Sequence, residues 1–324
     1  MTVRQSVLRI LEENKGSYVS GEEMAASLGV SRNAVWKAVR QLEADGYEII
    51  SVRHRGYCLQ QQADVLSEQG IAVYAQPAGL YVYQEIDSTN EEAKRLAAAG
   101  APHGTLVAAN AQTAGKGRRG RSFYSPSDTG VYFSIIFRPQ LDISDSILIT
   151  TAASVAVCRA VKDVCGIECG IKWVNDIYIG PHKVCGILTE AVADMETGTI
   201  SSIICGIGIN VRTEAFPEEV GSRAGAIYAG RQAKGIRNEL TAAVYTQLMR
   251  IYEQLPDRAF LTEYRQRSNV IGKRIRYTDR GIWKEALAVG IDEDGGLVIQ
   301  SDDEGRLHLH TGEITVRVRE DEEA

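Results

Sequence analysis

Apolar positions in residues 1–62 fall into three helical stripes followed by two short extended runs. Val3, Val7, Ile10 and Leu11 recur at the spacing that puts them on one helical face, and Gly16 ends that segment. Ser20 with Glu23 three positions on has the form of a capping box, opening a short helix through Met24, Ala25 and Leu28 that Gly29 stops. Ser31 caps a third helix, whose Val35, Ala38, Val39 and Leu42 form an inward stripe and which Asp45-Gly46 ends. Tyr47–Val52 and Tyr57–Leu59 then flank Arg53-His54-Arg55-Gly56, a hairpin tip. Three helices and a two-stranded wing make the winged helix-turn-helix pattern, with Gly29-Val30-Ser31 as its short turn.

Residues 63–72 read as a linker, and residues 73–270 mix strands with helices. Tyr81–Tyr83, Thr105–Ala111, Val131–Phe137 and the runs 168–173, 176–190 and 199–211 are extended; helices begin near Asn90 and cover about 145–163 and about 237–254. Paired strands alternating irregularly with helices favour an α+β domain around a mixed sheet. In residues 271–324, four or five short strands are punctuated by Asp279-Arg280-Gly281, Asp294-Gly295-Gly296 and Asp303-Glu304-Gly305, a spacing that predicts a small β-barrel. Glu320-Asp321-Glu322-Glu323 forms an acidic, solvated tail.

Charge changes this picture locally. A net charge of −6 argues against a protein that coats nucleic acid without specificity, but not against a small basic patch. One is present: the outward face of the third helix carries Arg32, Asn33, Lys37 and Arg40 after its cap Ser31, and the wing carries Arg53, His54 and Arg55. Arg32 and Asn33 stand where base edges are read in a major groove, whereas Lys37, Arg40 and the wing arginines suit phosphates. Trp36 reads as packing at the edge of the core rather than against a base. The six cysteines lack the spacing of a disulfide framework or a metal site and read as buried free thiols. With no apolar run near the ~20 residues that span a bilayer, and no signal-peptide pattern at the N-terminus, the expectation is a cytoplasmic protein away from membranes.

Gly115-Lys116-Gly117-Arg118-Arg119-Gly120 satisfies the dinucleotide-binding glycine pattern, but no helix follows it and the nearest acidic residue downstream, Asp142, lies in a loop after Pro139. A Rossmann site is excluded, and no phosphate-binding P-loop occurs. What remains is a loop in which three glycines space four cations, counting Arg121. Glycine permits close backbone approach, and arginine forks match carboxylate and phosphate oxygens, so an anion should order this mobile, self-repelling loop. Around it stand Asp87-Ser88-Thr89-Asn90 before a helix, Gln112 before the loop, Lys172-Trp173-Val174-Asn175-Asp176 entering a hairpin, Lys183–Leu188 and Gly206–Val211.

In this order the segments resemble the biotin protein ligases, specifically the bifunctional ligase-repressors with an N-terminal winged helix, over essentially the whole chain. Lys116 stands where that family usually has arginine, and Val174 where proline is common. The resemblance implies an SH3-like C-terminal barrel and a two-step reaction: biotin's carboxylate attacks the α-phosphate of ATP to give biotinyl-5′-AMP, and a lysine of a biotin carrier protein, such as a subunit of acetyl-CoA carboxylase, then displaces AMP. It assigns catalysis to Lys183, Arg118 and Asp176. Biotin contacts fall to Ser88, Thr89, Asn90, Gln112, Lys116, Gly117, Arg118, Lys183 and Gly186. Adenylate contacts fall to Arg118, Arg119, Arg121, Phe123, Lys172, Asn175, Asp176, Lys183, Asn210 and Arg317. Asp176 is the candidate ligand for Mg²⁺; Lys172 is alternatively its structural ion-pair partner. The resemblance further implies that the adenylate-bound chain forms a homodimer on two-fold operator DNA. Three rival expectations are a lipoate or octanoate ligase, a ligand-sensing repressor without ligase activity, and a ligase whose winged helix is a scaffold without an operator.

Overall fold

The computed structural model describes residues 1–138, 146–193, 200–220, 223–230, 235–279, 282–310 and 317–318. Helices α1 (Val3–Glu13), α2 (Gly21–Leu28) and α3 (Arg32–Ala44) precede an antiparallel hairpin of β1 (Ile49–Val52) and β2 (Gly56–Leu59). Val7, Leu8, Leu11, Met24, Val35, Val39, Leu42 and Leu59 bury one core, so the stripes read from the sequence face inward except for Val3, which is exposed at the start of α1. Gly29 ends α2 in the left-handed region at φ 64°, where a Cβ would be strained. Two local readings change. Ser20 caps α2 through the Glu22 amide, while the reciprocal capping box belongs to Thr2 and Gln5 at the start of α1. Trp36 is 49% exposed, not packed at the core edge.

The stretch read as a linker carries a short helix, α4 (Glu68–Ala72), and buries Leu66 and Ile71 in the main core. Seven strands follow: β3 (Gly79–Ile86), β4 (Thr105–Gln112), β5 (Gly130–Phe137), β6 (Gly170–Lys172), β7 (Asp176–Ile179), β8 (His182–Ala193) and β9 (Ile200–Asn210). They form one sheet in the order β3-β4-β5-β9-β8-β7-β6. Among the described strands of this sheet β3 and β4 pair parallel, bridged by α5 (Thr89–Ala98), and the other neighbours pair antiparallel, so the sheet is mixed as predicted. Every residue of β5 is buried because both faces of the sheet are covered. Ala93 and Ala97 of α5 close on Val107, Ile136 and Ile204 from one side. From the other side come α6 (Ser146–Cys165), α7 (Arg237–Glu253) and α8 (Phe260–Arg267). The short, largely polar α8 has too little periodicity to be read from sequence; it buries Phe260, Leu261 and Tyr264.

The C-terminal strands β10 (Arg274–Asp279), β11 (Ile282–Ile291), β12 (Leu297–Ser301), β13 (Gly305–Leu309) and β14 (Arg317–Val318) make a five-stranded antiparallel sheet, an order that fits the small barrel expected. Its core is continuous with that of the central domain. The acidic tail lies outside the described residues. No helix among the described residues is long and apolar enough to cross a membrane.

One buried charge joins these parts. Arg237, 1% exposed at the start of α7, donates from its amide to Asp64 Oδ1 at 2.9 Å and from Nε to the Asp64 carbonyl at 3.1 Å. Its Nη1 reaches Asn110 Oδ1 of β4 at 2.6 Å and its Nη2 reaches Asp128 Oδ1 at 3.1 Å. Arg212, just past β9, adds a bond to the Asp128 carbonyl at 2.7 Å and an ion pair with Asp64 at 3.4 Å. The stretch leaving the winged helix, a central strand and the segment after the basic loop thus share one guanidinium. Burial pushes the Asp64 carboxyl above its ordinary range, and Arg237 pulls it back.

Arg237→Ala strands a buried carboxylate and is expected to cost about 3–5 kcal/mol in denaturant unfolding, with Asp64→Asn on top restoring part of the loss. Glu12 supplies a pH test. It is buried in α1, and desolvation raises its pKa more than Lys15 lowers it. A raised folded-state pKa means that folding favours the protonated acid, so stability drains away as pH climbs through that value. Glu12→Gln should therefore raise the thermal midpoint at neutral pH, and the gain should vanish below about pH 4, near the ordinary carboxyl pKa.

Candidate functional site

The basic loop leaves β4 and folds back on itself. Lys116 bridges to Ser122, the Gly117 amide donates to the Arg121 carbonyl at 2.7 Å, and the Phe123 amide donates to the Gly115 carbonyl at 2.8 Å. A Cβ on Gly115 would stand 2.8 Å from Ser125 Oγ and 3.0 Å from Gln112 Nε2, so this close approach demands glycine. The self-repulsion expected of the cations is relieved by sending them to different partners. Lys116 Nζ meets Glu91 at 2.6 Å, Arg118 Nη1 donates to Asn175 Oδ1 at 3.0 Å, and Arg121 is exposed. Arg118 is half-buried and its pKa is lowered, chiefly by desolvation, with Asp176 opposing. A cation so placed lacks full compensation and favours an incoming anion.

Residues 172–176 are held by the helices behind the sheet and by the C-terminal sheet. The Val174 carbonyl accepts from Ser154 Oγ at 3.3 Å and Tyr264 Oη at 3.0 Å, and the Trp173 indole donates to the Gly295 carbonyl at 2.9 Å. The peptide between Trp173 and Val174 is cis. Asn175 is clamped onto β8, its carbonyl accepting from the Ile187 amide at 3.0 Å and its Nδ2 donating to the Ile187 carbonyl at 2.8 Å, which aims Oδ1 at Arg118. Asp176 pairs with Lys183 Nζ at 2.7 Å; Lys172 lies 5.8 Å from the Tyr178 ring centroid. The register slips between Ile177 and Tyr178, and this bulge brings Lys183 beside Gly186.

Gly186 and Gly208 are cross-strand partners on β8 and β9, and the Phe123 ring lies over both. A Cβ at Gly186 would stand 3.2 Å from the ring and 3.4 Å from Lys183 Nζ, while one at Gly208 would run into the ring itself. The strip is thus an apolar floor bounded at one end by a lysine and roofed by Phe123, two residues past the basic loop.

At the other end lies a polar knot. The Thr89 amide donates to Gln112 Oε1 at 2.8 Å, Gln112 Nε2 donates to Ser125 Oγ at 2.8 Å, and Ser134 Oγ stands 2.8 Å from Thr89 Oγ1 and 2.6 Å from Asn90 Oδ1. Asn90 Nδ2 donates to Glu190 at 2.7 Å. Ser88, 1% exposed, makes no capping bond to α5, so its hydroxyl is not spent on the helix. Asn210 donates through Nδ2 to the Gly225 carbonyl at 3.0 Å and leaves a buried Oδ1 without a hydrogen-bond partner. The structure therefore gathers Ser88, Thr89, Asn90, Gln112, Lys116, Gly117, Arg118, Phe123, Asn175, Asp176, Lys183, Gly186 and Asn210 around one end of the sheet. Lys172 stands on the adjoining edge strand, and Arg119 belongs to the same loop. Arg317 lies on β14 opposite Arg276, and its side chain lies outside the described residues. Ser134, Ser125, Glu190 and Gly208 were missed. Only Gly208 had a signal, the alternation of Gly206, Ile207, Gly208 and Ile209.

A second surface belongs to the winged helix. Ser31 caps α3 through the Ala34 amide at 3.2 Å, and Arg32, Asn33, Lys37, Arg40, Arg53 and Arg55 are all exposed. Arg55 stacks 4.3 Å from the Tyr18 ring centroid, while Arg32 and Arg40 make surface ion pairs with Glu22 at 3.9 Å and Glu43 at 2.8 Å.

Comparison with known proteins finds family matches in three parts of the chain. Residues 3–58 match a helix-turn-helix domain, 82–210 the biotin/lipoate A/B protein ligase family, and 270–317 the biotin protein ligase C-terminal domain. The bifunctional ligase/repressor BirA of Bacillus subtilis is 32% identical over 97% of this chain and 98% of its own. BirA of Escherichia coli is 27% identical over 89% of each. The solved biotin protein ligase of Aquifex aeolicus, in complex with biotin and ATP, superposes with a TM-score of 0.63 at 28% identity, covering 74% of this chain and 99% of that one. The chain belongs to the family of bifunctional biotin ligases and repressors.

Proposed function

We propose that the chain joins biotin to ATP and passes it to a carrier protein, with the two substrates laid along the glycine strip. The observation that carries this reading is the half-buried Arg118, hydrogen-bonded to the neutral Asn175, together with the Lys183–Asp176 pair at one end of an apolar floor. In the first step a biotin carboxylate oxygen attacks the α-phosphorus of ATP, the bond to the β-phosphate breaks, and pyrophosphate leaves with the electron pair. Lys183 stabilises the charge growing on the reacting oxygens, and Arg118 holds the adenylate. In the second step the carrier lysine's amine attacks the acyl carbon, AMP leaves, and an amide forms with loss of the amine proton. The Mycobacterium tuberculosis relative, 31% identical over 74% of this chain, is a biotin–[acetyl-CoA-carboxylase] ligase, which supports a carboxylase subunit as acceptor.

The knot of Ser88, Thr89 and Gln112 suits the ureido ring of biotin, flanked by Asn90, Lys116 and Gly117, while Gly186 lets the apolar chain lie close. Phe123 and the orphaned Asn210 Oδ1 suit adenine, the latter as acceptor for an amino group. Arg119, Arg121, Lys172, Asn175 and Arg317 are assigned to the phosphates. Among the described residues no group of three His, Cys, Asp or Glu side chains could cage a metal. The donors fit a Mg²⁺ ion carried by the triphosphate and water, with Asp176 as its protein carboxylate; such an ion neutralises phosphate charge. The adenylate-bound chain is further proposed to dimerise and present two winged helices to a two-fold operator.

Biotin- and ATP-dependent labelling of a carrier protein tests the reading. Lys183→Ala should reduce pyrophosphate release roughly 100- to 1,000-fold, the usual cost of deleting one preorganised charge stabiliser. Arg118→Gly should still form adenylate but release it, so that bystander proteins become labelled; full retention in that variant would contradict the holding role. Gly208→Ala, which pushes Phe123 off the strip, should raise the KM for ATP roughly tenfold or more with the fold intact, as read by initial rates and thermal unfolding.

A further inference from the structure

We propose that Trp36 reads bases: its indole meets the C5-methyl group of a thymine in the major groove when α3 docks on duplex DNA. The inference rests on the winged helix being a DNA-binding domain. Trp36 stands one turn after Arg32 and one turn before Arg40, so the three share an outward stripe of α3. At 49% exposed it is the largest apolar group on that face, although Val35 and Val39 beside it are buried completely. The helix is therefore well seated, and the ring's exposure belongs to its position. Between α3 and the wing lies a half-open hollow of about 230 Å³ lined by Trp36, Val39, Arg40, Glu43, Ser51 and Tyr57. The indole borders open space where a core aromatic would meet a packed neighbour. Arg40 leans over it at 5.8 Å from the ring centroid, steadied by Glu43.

Charge decides the partner. The domain face that carries the ring also carries Arg32, Lys37 and Arg40 on the helix and Arg53 and Arg55 on the wing, all exposed, in a chain whose net charge is −6. A second copy of this face would bring the same cations against it, which disfavours self-association there. Phosphates on either side of a groove suit the cations, and the surface pairs of Arg32 and Arg40 are weak enough to yield to them. The group left between the cations is apolar, and the apolar feature a duplex offers in its major groove is the thymine methyl.

Duplexes selected from a random pool on the adenylate-bound wild-type chain supply the probe. Trp36→Ala is expected to weaken binding roughly 10- to 100-fold. The slope of log K against log salt should stay unchanged, whereas Lys37→Ala should flatten it by roughly one. Replacing thymines singly with deoxyuridine, which lacks only the methyl, should weaken wild-type binding several-fold at one or more positions and leave Trp36→Phe less sensitive there. The deoxyuridine arm uses the wild-type protein and so does not depend on the variants folding. Wild-type indifference to every deoxyuridine overturns the inference, as does Trp36→Ala binding at full strength. A Trp36→Ala change in sedimentation without DNA overturns it by placing the ring in a protein interface. If the wild-type chain retains no duplex at all, the DNA-binding reading falls with it.

Discussion

The arrangement of the molecule hangs on the bond between Arg237 and Asp64. A guanidinium 1% exposed is tolerable only if each of its donors finds an acceptor, and here those acceptors come from three separate stretches of chain. Asp64 belongs to the segment that leaves the winged helix, Asn110 to a central strand, and Asp128 to the segment that follows the basic loop and Phe123. No one of these can move far without leaving a buried charge short of a partner. The connector is therefore part of the core, and its helix α4 adds apolar contact where a tether would add none.

The same principle of shared partners explains the site. Lys116, Arg118 and Lys183 are each met by a different acceptor, so the region holds several positive charges without one cluster of unrelieved repulsion. Asn175 is central to this. Both its backbone and its side-chain amide are committed to β8, and only Oδ1 is left to orient Arg118. Preorganised charge of this kind stabilises a developing anion without reorganising when it forms.

Much of this could be read before the structure. The stripes of α1 to α3, the wing, the strands of the central sheet and the co-occurrence of the glycine-arginine loop with Lys172–Asp176 and Lys183 lie in local patterns, which periodicity and motif spacing report well. What escaped is what depends on contacts distant in sequence. Nothing about Asp64 distinguishes it from any linker aspartate until Arg237 is placed against it. Ser134 alternates within an apolar strand and gains meaning only from Thr89 and Asn90 at the start of α5. Trp36 departs from the expectation because a tryptophan beside an inward stripe looks buried, whereas its place between Arg32 and Arg40 on the outward face leaves the ring half-exposed.

Phe123 lying across Gly186 and Gly208 has a thermodynamic corollary. The glycine floor is already withdrawn from water by an aromatic ring that is tethered to the charged loop. A ligand entering there lies against the ring or exchanges with it, and either way uncovers or replaces apolar surface that was never hydrated. The heat capacity decrement of binding should then be smaller than the apolar area of the ligand alone would imply, and the recognition correspondingly more enthalpic. A pocket that is its own stopper gives up hydrophobic affinity and selects for molecules with both an apolar chain to match the ring and an anionic end to move the loop.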